Sequence, residues 1–229
     1  MKNGTPSKSI PSKLYKYVSD DSFQKHLASF LNAEVLLSRW QDMNDPMEGF
    51  FMWDISKDPS KATNVIVTIE KKSEYLVSCF SRNPTNVLLW SHYANKHKGV
   101  CIEYAVPDKF DGYMLEEVKY CSSLPNLDTS ALPNNESVRG FLLRKSRSWQ
   151  YEKEFRLLRQ SPLPMKYPFG KITSITFGLR WARFTPTRKQ KKAWETLTST
   201  STNTSIKLYK ADMNEKSKII RRKYQFDDL

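Results

Sequence analysis

The sequence has few of the residues that build covalent or metal-bound frameworks. Its 229 residues include three cysteines, an odd number, and no CxxC pair. Disulfide-stapled domains use cysteines in even sets, and structural zinc sites use closely spaced pairs. His92 and His97 are also poorly placed to share a metal ion, because their spacing corresponds to about 140° around a helix. We therefore expect neither a disulfide framework nor a metal site.

Long apolar runs are missing as well. No run approaches the roughly 18 residues that a membrane-spanning helix needs. The first residues, MKNGTPSKSIPSK, are basic but lack the apolar segment of a secretory signal. The sequence therefore predicts a cytoplasmic protein that does not enter a membrane. The GxSxG elbow of serine hydrolases is also missing, which disfavours a nucleophilic triad of Ser81, His92 and an acid.

Positive charge is what the chain has in excess. There are 37 Lys and Arg residues against 24 Asp and Glu residues, a formal net charge of +13. Much of this charge lies near the C-terminus, in segments 185–194 and 216–224. Such a balance favours nucleic acid or another polyanion as a partner of the basic C-terminal third. The alternative is a solubilising surface, since the familiar RNA- and DNA-binding motifs are absent from the sequence.

Apolar periodicity predicts an α+β fold with a single domain over 13–229 and a flexible arm over 1–12. We expect a mixed, mostly antiparallel sheet, in one piece or split in two, with helices packed on its faces. Strand 113–121 is expected to pair with strand 100–104. The predicted strands are 14–19, 34–38, 75–81, 100–104, 113–121, 149–159, 172–179, 206–210 and 218–224. The predicted helices lie between Ser19 and Leu31, between Thr85 and Gly99, and over 60–72, 134–148 and 186–198.

Two of these helices have identifiable end groups. The one that follows strand 75–81 is expected to be capped by Asn83 or Thr85, whose side-chain oxygens accept hydrogen bonds from the first turn. Helix 134–148 is expected to carry Lys145 in its last turn, where a cation interacts favourably with the helix dipole.

The segment Glu152-Lys153-Glu154-Phe155-Arg156 is the clearest candidate for chemistry. On a strand, Glu152, Glu154 and Arg156 would share one face. Two carboxylates about 7 Å apart can hold different protonation states or grip two hydroxyls of a sugar. The alternative is a structural ion pair between Glu154 and Arg156.

Two other polar groups are candidates for the same site. His92 and Tyr93 lie on the flank of a predicted helix, and His92 is a candidate base or hydrogen-bonding residue. Asn44 and Asp45 belong to an acidic, aromatic loop over 39–51 that is a candidate ligand-binding loop. The alternative for both groups is local: His92 would satisfy neighbouring backbone, and Asn44 and Asp45 would bond the turn.

Several segments resemble a bacterial family, the domain-of-unknown-function family 2971. The resemblance rests on NDPMEG at 44–49, SCFS at 78–81, LWSHYANKHKGVCIEY at 89–104 and WQYEKEFRLL at 149–158. The matches keep the same order from Leu14 to about Tyr209. This resemblance implies a family but no activity.

The layout is also similar to that of ADP-ribosyltransferase-like domains. It implies that Lys16 or Tyr17 contacts NAD, that Phe80 and Ser81 support the nicotinamide ribose, and that Glu154 grips its 2′-hydroxyl. Lys16 stands where Arg or His is usual. In this layout Glu152 lies beside Glu154. We expect the other candidate residues to shape the same pocket: His92, Tyr93, Asn44, Asp45 and Arg156.

The predicted function is therefore an ADP-ribosyltransferase-like enzyme or effector with NAD as substrate and no metal. A toxin or phage-defence role with a protein partner is included in this prediction. Two alternatives stay open. One is a nucleic-acid-binding or nuclease-like protein that uses the basic C-terminal surface, and the other is a non-catalytic interaction module.

Overall fold

A nine-stranded mixed sheet forms the centre of the molecule. The structure is a computed structural model that describes residues 10–45, 47–54, 59–130, 132–160, 164–181 and 206–224. The strands of these residues are β1 Lys13–Val18, β2 Glu34–Leu36, β3 Ser38–Arg39, β4 Tyr75–Ser81, β5 Val100–Ala105, β6 Met114–Glu117, β7 Lys119–Cys121, β8 Arg144–Ser146, β9 Glu154–Gln160, β10 Lys166–Pro168, β11 Lys171–Phe177, β12 Lys207–Met213 and β13 Ile219–Lys223. The helices are α1 Asp20–Lys25, α2 Leu27–Leu31, α3 Ala62–Ser73, α4 Val87–Tyr93 and α5 Asn135–Leu142.

The order of strands in the large sheet is β13, β12, β11, β5, β1, β4, β9, β6, with β3 paired to β4. Neighbours in it are antiparallel except β11 and β12. Two small sheets, β2 with β10 and β7 with β8, complete the strands that the structure describes. The predicted class, α+β with a mixed and mostly antiparallel sheet, is confirmed.

One face of the large sheet carries the main apolar core. Alternate residues of its strands, such as Leu14 and Phe155, are buried there against Phe23 and Phe30 of α1 and α2. Phe80 stacks on Phe169 with ring centroids 4.5 Å apart. Truncation of a buried Phe of this kind to Ala typically costs about 3–5 kcal/mol. This face therefore supplies much of the stability and holds the other face in place.

Helix α4 packs on the opposite face. Its Trp90 is fully buried and meets Tyr17 of β1 edge to face, with centroids 5.3 Å apart. The cap is Asn86, whose Oδ1 accepts from the backbone N–H of Leu88 at 2.8 Å. The predicted caps, Asn83 and Thr85, are wrong. Asn83 Oδ1 accepts from the N–H of Thr85 and so forms the preceding turn instead.

The large sheet opens between β1 and β4. β1 pairs with β5 along its full length, whereas β1 and β4 share one paired position, Tyr15 opposite Ser81. Lys16 partly bridges the opening, since its Nζ donates to Ser78 Oγ at 2.8 Å and to the Cys79 carbonyl at 3.2 Å. The opening divides the sheet into two halves, one that contains β5 and one that contains β9. The halves stay joined through the single paired position between β1 and β4.

Two predictions in the middle of the chain are wrong. Residues predicted as strand 113–121 form two strands, and β6 pairs with β9 rather than with β5. Helix α5 ends at Leu142, and residues predicted as its last turn form β8, which pairs in parallel with β7. The Lys119 N–H donates to the Leu143 carbonyl at 2.7 Å and draws this segment to the sheet.

The predicted helix 186–198 and the first nine residues of the predicted arm lie outside the described residues. Within the residues that the structure does describe, no helix is long and apolar enough to cross a membrane.

Candidate functional site

A small cavity lies at the opening between β1 and β4. Its volume is about 130 Å³. Strands β1 and β4, helix α4, the loop after β3 and the segment around β8 and β9 surround it. The residues that line it are Tyr15, Lys16, Tyr17, Met43, Asn44, Cys79, Phe80, Ser81, Leu89, Tyr93, Lys145, Glu152 and Glu154.

Beside this cavity lies a buried group of charged side chains, which we call the ionic cluster: Glu48, Lys145, Glu152, Glu154 and Arg156. Lys145 is its centre. Its Nζ donates to Glu152 Oε2 at 2.7 Å and to Glu154 Oε2 at 3.2 Å, and its side chain is 2% exposed. One ammonium group therefore joins the two glutamates that the sequence singled out.

Glu154 and Arg156 form the most rigid part of the ionic cluster. Arg156 Nε donates to Glu154 Oε1 at 2.8 Å, and Nη2 donates to Glu154 Oε2 at 3.1 Å. Arg156 also donates to the Leu142 carbonyl, and its side chain is fully buried. This fork geometry fixes both groups. The structural ion pair considered from the sequence is therefore present, and it coexists with the contact to Lys145.

Glu152 occupies a different local structure from the one predicted. It ends a 3-10 helix, Arg147–Glu152, and Lys153 follows in a left-handed conformation with φ 47° before β9 begins. The prediction that Glu152 and Glu154 share one face of a strand is therefore wrong. Their side chains still meet, because Lys145 reaches both.

On the cavity side, Glu152 has a second partner. The Tyr93 hydroxyl donates to Glu152 Oε1 at 2.6 Å, and Asn44 Nδ2 donates to the same hydroxyl at 3.0 Å. The loop, the helix and the 3-10 turn thus converge on one carboxylate. Tyr93 and Asn44 were both predicted as site residues, and the structure places them on the cavity wall.

Glu48 is a third carboxylate that sequence analysis did not single out. It is 3% exposed, and its Oε1 lies 2.5 Å from Arg156 Nη1. This contact is an ion pair, and Lys145 Nζ lies 3.9 Å from the other oxygen, Oε2. Its loop is anchored by Lys72, whose Nζ donates to the Gly49 carbonyl at 2.6 Å and lies over the Trp40 ring.

Burial and charge divide the carboxylates of the ionic cluster into two kinds. Burial disfavours the charged form of Glu154, but Arg156 and Lys145 outweigh it and lower its pKa to about 2. For Glu152, burial outweighs Lys145, so its pKa is raised. Burial raises the pKa of Glu48 too. Glu154 is therefore a fixed anion, while Glu152 and Glu48 are the groups that hold a proton more readily.

The remaining residues predicted from the ADP-ribosyltransferase-like layout have structural partners. Lys16 is committed to Ser78 and Cys79, and burial lowers its pKa. Ser81 Oγ donates to the Glu152 carbonyl at 2.6 Å and accepts from the Asn83 N–H. Ser81 thus orients the backbone that carries Glu152. Tyr17 and Phe80 are cavity residues as well.

Three predicted site residues do not line the cavity. His92 is exposed and meets Trp149 edge to face at 6.0 Å. Asp45 is buried, and its Oδ1 accepts from the Met47 N–H at 2.9 Å, which is the local turn role considered from the sequence. Arg156 lies behind Glu154. No group of three or more His, Cys, Asp or Glu suited to a metal ion occurs in the part of the chain that is described.

The predicted polyanion surface is only partly described. Segment 185–194 lies outside the described residues. In segment 216–224, Arg221 Nη1 donates to Glu103 Oε2 at 3.1 Å, and Arg222 forms an ion pair with Asp212. These two cations have intramolecular partners.

Residues 89–157 match the model of a family described as "Protein of unknown function (DUF2971)". The matched region includes Tyr93, Lys145, Glu152, Glu154 and Arg156, and it supports the family resemblance read from the motifs. No curated protein and no solved structure matches the chain. The likeness to ADP-ribosyltransferase-like domains stays a prediction.

Proposed function

We propose that this chain is an ADP-ribosyltransferase-like enzyme or effector that cleaves the nicotinamide–ribose bond of NAD. The observation that carries the proposal is the placement of Glu152 and Glu154. They lie on the wall of one small cavity, and a single ammonium group, Lys145, joins them. A pair of carboxyl groups with pKa values pushed in opposite directions is a common arrangement for chemistry at a glycosidic carbon.

The charge of the ionic cluster suits a cationic ring. Three carboxyl groups face two permanent cations, Lys145 and Arg156. When Glu152 and Glu48 are both ionised, the ionic cluster carries a negative charge beside the cavity. The nicotinamide ring of NAD is a pyridinium cation, and its entry would favour that ionised state by the ordinary effect of a nearby opposite charge.

The volume of the cavity also limits the ligand. About 130 Å³ is close to the size of an engineered cavity that binds benzene, so the cavity takes one ring. The rest of a dinucleotide would lie outside it along the opening between β1 and β4. The proposed reacting carbon is therefore next to the part of the cavity wall that Tyr93 and Glu152 form.

In the proposed reaction, the bond between the nicotinamide nitrogen and ribose C1′ breaks, and its electron pair leaves with the ring. The leaving group becomes neutral nicotinamide, and the sugar carbon takes on oxocarbenium character. A nucleophile of an acceptor, or water, then attacks C1′ and loses a proton. A carboxylate placed beforehand next to the developing positive charge lowers the barrier.

We assign the ligand-facing role to Glu152 and a supporting role to Glu154. Both oxygens of Glu154 are held by Arg156 and Lys145. Glu152 contacts Tyr93, which lines the cavity, and in the proposed complex a sugar hydroxyl would replace Tyr93 as the partner of Glu152. This assignment reverses the order that the layout implied, in which Glu154 gripped the 2′-hydroxyl.

The test is nicotinamide release from NAD by the purified full chain, with cell extract as a source of acceptors. We expect Glu152→Gln to lower turnover by about 100-fold or more, because Gln keeps the shape and loses the charge. Glu117→Gln is a matched control on β6, outside the cavity lining. Thermal melts verify that both variants fold. Absence of nicotinamide release by the wild type, or equal rates in both variants, contradicts the proposal.

A toxin or antiviral-defence role belongs to the same proposal, because uncontrolled NAD consumption harms the cell in which it occurs. It predicts that expression of the wild type slows growth and lowers cellular NAD, while Glu152→Gln does neither. If growth slows equally with both, the toxicity has another cause. The ionic cluster would then be a structural feature of an interaction module.

A further inference from the structure

On the same face of the sheet, a second charged group lies one strand beyond the cavity. We call it the Glu103 cluster: Lys13, Glu103, Thr173, Ser174 and Arg221. Glu103 Oε1 accepts from Lys13 Nζ at 2.8 Å and from Thr173 Oγ1 at 2.6 Å. Arg221 Nη1 donates to Glu103 Oε2, and Nη2 donates to Ser174 Oγ at 2.5 Å. Nothing in the proposed reaction uses these residues.

Strand register connects the Glu103 cluster to the cavity. Glu154 is paired with Ser81, Ser81 with Tyr15, and Tyr15 with Glu103. Directly paired residues point to the same face of a sheet, so these side chains form one polar row. Three steps between strands cover about 14 Å. A dinucleotide spans such a distance, whereas a single ring does not.

The Glu103 cluster has an excess of positive charge. One carboxylate, whose pKa is lowered to about 2, faces two cations. Burial would raise that pKa, and the contacts to Lys13, Thr173 and Arg221 outweigh it. Structural pairing of Glu103 requires one cation, and the second leaves a net positive charge. Lys13 is also 53% exposed at its side chain, so this charge is open to a ligand.

The contacts of Arg221 fix its guanidinium group in one position. Its guanidinium lies over the Tyr209 ring at 4.2 Å, and its side chain is 19% exposed. Nη1 and Nη2 each carry two N–H groups, and Glu103 accepts one bond from Nη1 and Ser174 one bond from Nη2. A planar, fixed guanidinium with further N–H groups at its partly exposed end is well suited to phosphate oxygens.

We propose that Lys13 and Arg221 form a subsite for the diphosphate of a dinucleotide whose ring occupies the cavity. The inference rests on the proposed function for the identity of the ring, and on the Glu103 cluster alone for the anion. The two ends of the row have opposite charge: the cavity end takes a cation, and the far end takes an anion. This polarity fixes the direction in which the ligand lies.

Calorimetric titration of the full chain with ADP and, separately, with nicotinamide tests the subsite. We expect Arg221→Gln to weaken ADP binding by about 10-fold or more, the typical loss of one charged hydrogen bond, and to leave nicotinamide binding unchanged. Arg222→Gln is the matched control, since Arg222 is the next residue of β13 and pairs with Asp212. Lys13→Gln provides a second variant at an exposed position, with a weaker effect in the same direction.

The outcomes separate this inference from the proposed function. If ADP binding depends on Arg221 but no nicotinamide is released from NAD, the subsite stands and the transferase proposal fails. If nicotinamide is released and ADP binding is equal in Arg221→Gln and Arg222→Gln, the subsite is wrong. Preference for single-stranded RNA over ADP, with the same dependence on Arg221, would assign the surface to nucleic acid and overturn the dinucleotide subsite.

Discussion

The ionic cluster and the Glu103 cluster lie on one face of one sheet and both combine carboxylates with Lys and Arg. They differ in the number of carboxyl groups relative to cations. The ionic cluster places three carboxyl groups around two cations and is almost wholly buried. The Glu103 cluster places one carboxyl group between two cations, one of which is half-exposed. Excess charge therefore has opposite sign at the two ends of a polar row.

The difference shows what burial does to such groups. In the ionic cluster, the surplus carboxyl groups are buried, and burial raises the pKa values of Glu152 and Glu48. In the Glu103 cluster, the surplus cation reaches solvent, and Glu103 stays ionised. The exposed cation of the Glu103 cluster can therefore bind an anion without a change in its own protonation. In the ionic cluster, by contrast, the binding of a cation would be accompanied by the loss of a proton from a buried carboxyl group.

The largest expected effect is on stability. Arg156→Met would leave Glu154 and Glu48 buried without their main cation, which typically costs about 3–5 kcal/mol. Arg221→Met should cost about 1–2 kcal/mol, because Glu103 keeps Lys13 and Thr173. Urea unfolding at neutral pH measures both variants. Equal losses in the free energy of unfolding would show that the two clusters do not differ as described.

A smaller effect concerns pH. Glu103 has a folded-state pKa of about 2, below its unfolded value, so its stabilisation is present above the unfolded pKa and is lost as pH falls toward 2. Glu152 has a raised pKa, so its ionisation costs stability as pH rises above the unfolded value. Glu103→Gln should therefore flatten the acid limb of the stability curve.

Glu152→Gln should change the pH dependence of stability in the opposite direction. It should remove the loss of stability that accompanies ionisation of Glu152 between acid and neutral pH. Thermal melts from pH 2 to pH 7 for the wild type and both variants give the two slopes. The same sign of change in both variants would contradict the assignment.

The smallest expected effect involves Lys72, a buried cation for which the described residues provide no carboxylate partner. Lys72 donates to the Gly49 carbonyl and lies 3.8 Å from the Trp40 ring, and burial lowers its pKa to about 8. Its charged form therefore costs stability below about pH 8, and this cost disappears as pH rises toward the unfolded pKa. Lys72→Met should change stability at pH 7 by about 1 kcal/mol or less and remove the gain between pH 8 and 10. Urea unfolding at those two pH values measures this. If the free energy of unfolding of the variant rises as much as that of the wild type, the increase belongs to other groups.

The sequence predicted the fold class and several strands well, because the signal for them is local. Strand β4, Tyr75–Ser81, was predicted with its exact limits, since an apolar and β-branched run needs no distant information. Lys145 was missed for the opposite reason. Its place depends on parallel pairing of β8 with β7, a contact between segments that carry no shared pattern.

Glu152 and Glu154 were identified from their spacing, but the reason for their proximity was different. A strand was expected, whereas a left-handed turn at Lys153 separates the two, and Lys145 brings the side chains together. Glu48 was overlooked although NDPMEG was recognised. The Asn and Asp residues of that loop drew attention as turn formers, and the buried carboxylate behind them had no signal of its own.

The single paired position between β1 and β4 also bears on how the protein folds. The half of the sheet with β5 contains β1, β11, β12 and β13, and the other half contains β3, β4, β6 and β9. The chain passes between the halves after β1, after β4, after β5 and after β9. Neither half can form from a continuous stretch of sequence, so both must assemble together, through contacts distant in sequence that slow folding. Each half takes its strands from several parts of the chain, so a chain cut between β1 and β13 is not expected to retain the cavity that lies between the halves.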